Sequence, residues 1–178
     1  MKCLLYILFI INAFSFAQEK YLTKTGELSF ESSVPSFEEV AAKNNSVTAI
    51  INTENGEIAA LALIKGFRFK NALMEEHFNE NYAESNKYPK ANFQGEIENF
   101  SPENMPGNFK INGDLTFHGV TKSIKNIQVT VDEIGDKITI KGSFRVLASD
   151  FKIDIPKIVR NKIAEDVLVS FSFELLPK

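Results

Sequence analysis

Most of this chain alternates apolar and polar residues with a period of two, and that feature restricts it to half-buried β-strands. Over residues 91–97, Ala91, Phe93, Gly95 and Ile97 share one face, while Asn92, Gln94 and Glu96 take the other. Over 109–117 the apolar set is Phe109, Ile111, Gly113, Leu115 and Phe117, against Lys110, Asn112, Asp114 and Thr116. Over 138–146 it is Ile138, Ile140, Gly142, Phe144 and Val146, and over 167–175 it is Val167, Val169, Phe171, Phe173 and Leu175. Weaker strands are read over 21–25 and 27–32, divided by a bend at Gly26, and over 46–52 and 57–66. The last two are joined by Thr53-Glu54-Asn55-Gly56, whose Asn-Gly is a hairpin turn signal. Another strand covers 124–131 after the turn 118–122, and 133–136 turns into the next. About eight or nine strands at regular spacing predict an all-β antiparallel barrel or sandwich.

Three segments break the alternation. Residues 71–85 predict one inserted α-helix, with Asn71 as its cap and Met74, Phe78 and Tyr82 forming an apolar stripe every four residues. Ser36-Phe37-Glu38-Glu39 reads as a capping box opening a short helical turn through Ala42. Residues 148–165, with Ile155-Pro156, Ile158, Val159 and Ile163, predict a partly helical cover.

The N-terminus has the anatomy of a secretory signal peptide. Lys2 precedes an apolar run from Leu4 to Ile11, and Ser15 and Ala17 occupy the two positions a signal peptidase reads. Cleavage is expected after Ala17, leaving residues 18–178 as a single domain that is periplasmic or secreted. Cys3 leaves with the signal, so no disulfide, thiol nucleophile or cysteine-ligated metal is available. Loss of Lys2 makes the formal charge of −3 one unit more negative. An acidic balance argues against nucleic acid as a partner. No later stretch is long and apolar enough to span a bilayer as a helix, so no stable membrane insertion is expected.

The unusual part of the composition is 16 Phe against no Trp. If the apolar faces look inward, the interior is walled by Phe, Ile, Leu and Val, and such a space selects for hydrocarbon. The expected wall is Phe93, Ile111, Leu115, Phe117, Ile140, Phe144, Val169, Phe171 and Phe173, with Met74, Phe78 and Tyr82 as a lid. Gly95, Gly113 and Gly142 lie mid-strand in the apolar phase. They either let the sheet coil as it closes or leave room for a ligand.

Catalysis has little support. Of two histidines, His118 precedes a turn in the polar phase and reads as a solvated surface residue. His77 sits with Glu76, Glu80 and Glu84 on what reads as a charged face without the His-Glu-x-x-His spacing of a metal enzyme. No nucleophile elbow or phosphate loop is visible. Asn44-Asn45-Ser46 matches a glycosylation sequon only formally. No cofactor and no metal are expected.

Three runs carry a family likeness: the stretch from Asn71 to Phe78, then Tyr88-Pro89-Lys90-Ala91-Asn92-Phe93, and above all Asn112-Gly-Asp-Leu-Thr-Phe-His-Gly-Val-Thr-Lys122. Residues 144–153, with Asp150-Phe151, add to it. From Gly26 onward the chain resembles the YceI-like family of periplasmic, polyisoprenoid-binding proteins. Asn71 and Ala148 depart from the family's usual acidic residue and arginine. The resemblance implies a lipocalin-like, eight-stranded antiparallel barrel holding an isoprenoid or other long-chain amphiphilic lipid. A homodimer is left open. The competing readings are a small outer-membrane barrel, with the same apolar faces turned outward, and a hydrolase or metal enzyme using His77 and nearby carboxylates.

Overall fold

The computed structural model describes residues 20–34 and 39–178. Within them the strands are β1 (Lys20–Ser33), β2 (Ala41–Asn52), β3 (Glu57–Leu63), β4 (Arg68–Phe69), β5 (Lys90–Ile97), β6 (Gly107–Phe117), β7 (Val120–Ile134), β8 (Lys137–Leu147) and β9 (Ile163–Pro177). They hydrogen-bond in the order β1-β9-β8-β7-β6-β5-β3-β2, and β2 pairs back onto β1. Eight antiparallel strands therefore close into a barrel, in which each of the eight is paired on both sides among the described residues. The two-residue β4 continues beside Ala42 and Lys43 of β2 where β3 has ended.

The pairing defines two unlike ends. At one end lie two tight turns, the Asn52–Glu57 hairpin with Gly56 at φ +75° and the Gly135 turn at φ +65°, and the longer β5–β6 loop with a 3₁₀ turn at Pro102–Asn104. At the other lie the β1–β2 connection, the helical excursion between β3 and β5, the His118-Gly119 turn, and the β8–β9 cover. We call these the closed end and the mouth.

Period-two alternation places the apolar residues inside. Lys110, Asp114, Lys141, Ser143 and Arg145 are exposed, while Ile111, Ile138 and Ile140 of the opposite phase are buried. A membrane-embedded barrel requires an apolar band on its outer surface, and these strands present charge there instead. Among the described residues, no helix is long and apolar enough to cross a membrane.

Several local expectations are corrected. Gly26 does not divide two strands: β1 is continuous, with register shifts on either side of Gly26 against β2. The reason is a close approach, since a Cβ at Gly26 would lie 2.7 Å from the Phe173 ring. The helical turn read through Ala42 is not helical at its far end, because Ala41 and Ala42 are strand residues paired with Glu31 and Phe30. Residues 36–38 of that turn lie outside the described residues, as does the expected signal peptide over residues 1–17. The inserted helix is shorter than its pattern. Asn71 caps it by accepting from the Leu73 N–H at 2.9 Å, and α1 covers only Ala72–His77. Phe78–Tyr82 then widens into a π-turn, with the Ala83 N–H reaching the Phe78 carbonyl at 2.8 Å. There the Asn79 side-chain amide donates to the Glu75 carbonyl at 2.8 Å, competing for the α-helical ladder. In the β8–β9 cover, 3₁₀ turns at Ala148–Phe151 and Lys157–Val159 fulfil the expectation of partial helicity, and its last residues already belong to β9.

The formal sequon is structural. Asn44 is fully buried, its amide donating to the Leu63 carbonyl at 3.0 Å and its carbonyl oxygen accepting from the Ser46 N–H and hydroxyl at 2.9 and 2.8 Å.

Candidate functional site, a hydrocarbon-lined cavity

Climbing β8 from the closed end shows where packing stops. Ile138 and Ile140 are fully buried and meet Leu175 and Phe173 of β9 and Val131 of β7. With Ile51 and Ile97 they form a solid floor. Ile140, expected in the wall, belongs to this floor and does not face the cavity. Its neighbours Ile138, Val131, Phe173 and Leu175 are buried with it, and alternation alone cannot tell at which height a lumen begins. Above it, Gly142 lets the Phe171 ring cross the strand, since a Cβ there would lie 2.8 Å from that ring. From Phe144 upward the barrel is not filled.

The resulting cavity has a volume of about 550 Å³. That lies within the range of roughly 300–1,000 Å³ typical of small-molecule sites. Every other wall and lid residue expected from the sequence lines it: Phe93, Ile111, Leu115, Phe117, Phe144, Val169, Phe171 and Phe173, with Met74, Phe78 and Tyr82. Although they point inward, Phe93, Leu115, Phe144 and Phe171 are only half-buried, because the space they face is not closed by other side chains.

The mid-strand glycines do not make this room directly. Gly95 and Gly113 face each other across β5 and β6, and a Cβ on Gly113 would lie 2.5 Å from the Phe93 ring and 2.5 Å from the Gln94 carbonyl oxygen. The glycines are needed so that the wall rings can lie flat against the backbone and the sheet can coil. The room comes instead from small side chains on β3, where Ala60 and Ala62 line the cavity between Ile58 and Ile64. Their significance is invisible in the alternation, which registers phase and not size. Periodicity marks residues 57–66 as a strand and assigns none of them to the wall.

The mouth has two covers. On one side Phe78 packs against Phe30, Phe67 and Phe69 with ring centroids 5.2, 5.9 and 5.2 Å apart, so the start of the π-turn is held in a cluster of four rings. Burial pushes the Tyr82 phenol above its ordinary value. On the other side Phe151 and Ile155 are buried and line the cavity, with Phe151 edge-on to Phe117 at 5.7 Å.

His118 corrects the reading of a solvated surface residue, for its side chain is only 11% exposed. Its Nδ1 donates to the Phe151 carbonyl at 2.9 Å, and its Nε2 meets the Glu84 carboxylate at 2.8 Å. The ring stands edge-on to Tyr88 at 4.6 Å. One side chain in the β6–β7 turn thus joins both covers. Its partners lie more than thirty residues away on either side, beyond the reach of any local pattern.

Polar atoms collect at the rim. Asn71, His77, Tyr82, Asn92 and Lys162 line the cavity among the apolar residues. His77 is exposed, and Asn71 is occupied as the helix cap. Among the described residues no three His, Cys, Asp or Glu side chains converge as metal ligands.

This geometry, an apolar lumen open beneath a two-part mouth, agrees with a family assignment. The model of the YceI-like domain matches residues 17–175. The chain belongs to the YceI-like family. Solved structures share its fold at low sequence identity. A polyisoprenoid-binding domain from Saccharophagus degradans implicated in plant cell wall breakdown aligns with a TM-score of 0.75 at 17% identity, over 90% of this chain and 99% of that one. Burkholderia cenocepacia BcnA aligns at 0.70 with 17% identity, over 86% and 96%. A Campylobacter jejuni YceI protein aligns at 0.66 with 18% identity, over 82% and 89%. No curated protein sequence matches the chain. The likeness confirms the closed antiparallel, lipocalin-like barrel of the YceI-like fold.

Proposed function

We propose that this YceI-like chain is an exported binding protein that holds an isoprenoid-like or other long-chain amphiphilic lipid in its barrel, as a carrier or a store. The observation that carries the reading is the unfilled cavity of about 550 Å³ between a packed floor and the mouth, walled by Phe, Ile, Leu and Val. At about 30 Å³ per water- or methylene-sized group, this space takes on the order of eighteen such groups. Burial at about 0.8 kcal/mol per methylene gives a gross gain of about 14 kcal/mol. The loss of translational and rotational freedom offsets roughly 4–15 kcal/mol of that. A long chain therefore binds usefully, whereas a short one does not repay its immobilisation.

The wall residues grip the chain, and Met74, Phe78 and Tyr82 close over it. The head group belongs at the rim, where a protonated Tyr82 hydroxyl offers a donor. A polar ligand in the lumen itself would give up water without replacement bonds. The family's polyisoprenoid-binding relative supports the isoprenoid class. Export, by cleavage after Ala17 to a periplasmic or secreted form, completes the proposal.

Mass spectrometry of organic extracts of the purified protein tests it. A co-purifying long-chain lipid is expected. Clean extracts, together with no uptake of long-chain isoprenoids, would refute the proposal.

A further inference from the structure

The mouth also carries the most exposed large hydrophobic side chain among the described residues. Ile158 is 86% exposed, whereas its neighbours in the β8–β9 cover turn inward: Ile155 is buried, and Val159 lines the cavity. The position of Ile158 is fixed by backbone bonds on both sides. The Val159 N–H reaches the Pro156 carbonyl at 2.9 Å, and the Lys162 N–H reaches the Val159 carbonyl at 2.8 Å. The Arg160 guanidinium adds a bond to the Ile155 carbonyl at 2.9 Å.

Charge accompanies this side chain. Segment 152–162 contains Lys152, Lys157, Arg160 and Lys162 against Asp154 alone, within a chain of net charge −3. Arg160 takes up Asp154 at 3.5 Å. Lys152, Lys157 and Lys162 are exposed, and among the described residues they form no ion pair. Lys162 also lines the cavity while being exposed, so this residue stands where lumen and solvent meet. Leu73 and Leu147, 58% and 45% exposed, extend the apolar rim.

We propose that segment 152–162 docks the mouth of the barrel onto an anionic lipid bilayer, with Ile158 entering the interface and Lys157 and Lys162 meeting the head groups. The proposal rests on the lipid-binding reading of the cavity and adds the surface with which lipid is exchanged. Apolar insertion plus electrostatic attraction is the general recipe for reversible attachment to such a surface. One inserted side chain and a few cations give weak, salt-sensitive docking, as loading and unloading require. Charge selects the end. The closed end also exposes an isoleucine, Ile134 at 75%, but Asp132, Glu133 and Asp136 flank it, and an anionic surface repels them. The exposed acidic residues Glu76 and Glu80 belong to the other cover. On the β8–β9 side the exposed acids are engaged, Glu165 by the Ser149 N–H at 2.8 Å and Asp166 by Arg145 at 2.9 Å, so contact is made there through Lys157 and Lys162.

Co-sedimentation with vesicles of phosphatidylglycerol mixed with phosphatidylcholine, against vesicles of phosphatidylcholine alone, tests this directly. Binding to the anionic vesicles alone, weakened by salt, is expected. Ile158→Ser should reduce it about tenfold, as should the Lys157→Glu, Lys162→Glu pair. Ile134→Ser should leave it unchanged. Absence of binding to anionic vesicles would overturn the proposal, as would equal losses in Ile158→Ser and Ile134→Ser. Lipid extracted from the same preparations separates the two levels. A loaded protein that ignores vesicles sinks docking alone, and an empty protein that takes up no long-chain lipid sinks the cavity reading beneath it.

Discussion

Replacing Ala60 by Phe should make the protein no less stable while sharply weakening its grip on lipid. Ala60 lines the cavity beside Phe93, its partner on β5, and is flanked by inward-facing Ile58 and Ala62. Phe adds six carbons there, which at about 30 Å³ each occupy on the order of 180 Å³. That is roughly a third of the 550 Å³ available. A ligand chain is then displaced by about six methylenes, a loss of up to about 5 kcal/mol at about 0.8 kcal/mol each. Because an amphiphile can withdraw toward the mouth, half of that is the working expectation, about fiftyfold in affinity. The added ring enters apolar space that is empty in the lipid-free protein, so it contributes contacts without strain and the Tm should hold or rise. Displacement of an environment-sensitive long-chain fluorophore gives the affinity, and thermal unfolding gives the stability. Unchanged affinity would refute the reasoning, since it would mean that the chain does not run past Ala60. A fall in Tm of several degrees would show that the space is not there.

Three further outcomes follow from the same geometry. Ile140→Ala, in the floor, should cost about 2–5 kcal/mol by denaturant titration, with fluorophore affinity at 25 °C changed far less than by Ala60→Phe. His118→Ala should cost about 2 kcal/mol through the lost bonds to Glu84 and Phe151, and stopped-flow dilution should show faster lipid release because both covers lose their tie. Acidification should loosen the β8–β9 cover: the Ser149 hydroxyl and N–H hold the Glu165 carboxyl below its ordinary value of 4.5. Its contribution is then complete above that pH and is lost as pH falls through the lowered folded value, so the denaturant midpoint of the parent should fall more steeply there than that of Glu165→Gln.

What the sequence made legible was phase. In β5, β6, β8 and β9 the side chains alternate so regularly that the inward set could be named residue by residue, and the Asn55-Gly56 turn fixed one hairpin. Phase does not carry height or volume. Ile140 and Phe144 read alike in the alternation, but one seals the floor and the other faces open space. Ala60 and Ala62, whose small size helps create that space, gave no signal of their own. The polar phase of its strand points His118 toward solvent, and nothing local announces that Glu84 and the Phe151 carbonyl converge on it. Its place within Gly113-Asp-Leu-Thr-Phe-His118-Gly-Val-Thr-Lys122, the most recognisable stretch of the family likeness, is the one hint the sequence holds.

The most direct test is an experimental electron-density map of the protein purified without detergent from its own host. Tubular density rising from the Ile140 floor, past Phe93, Phe144 and Phe171 toward Lys162, is the expected result. Those same rings collapsed together, or ordered water filling the lumen, would contradict the claim that this barrel is built around a hydrocarbon chain.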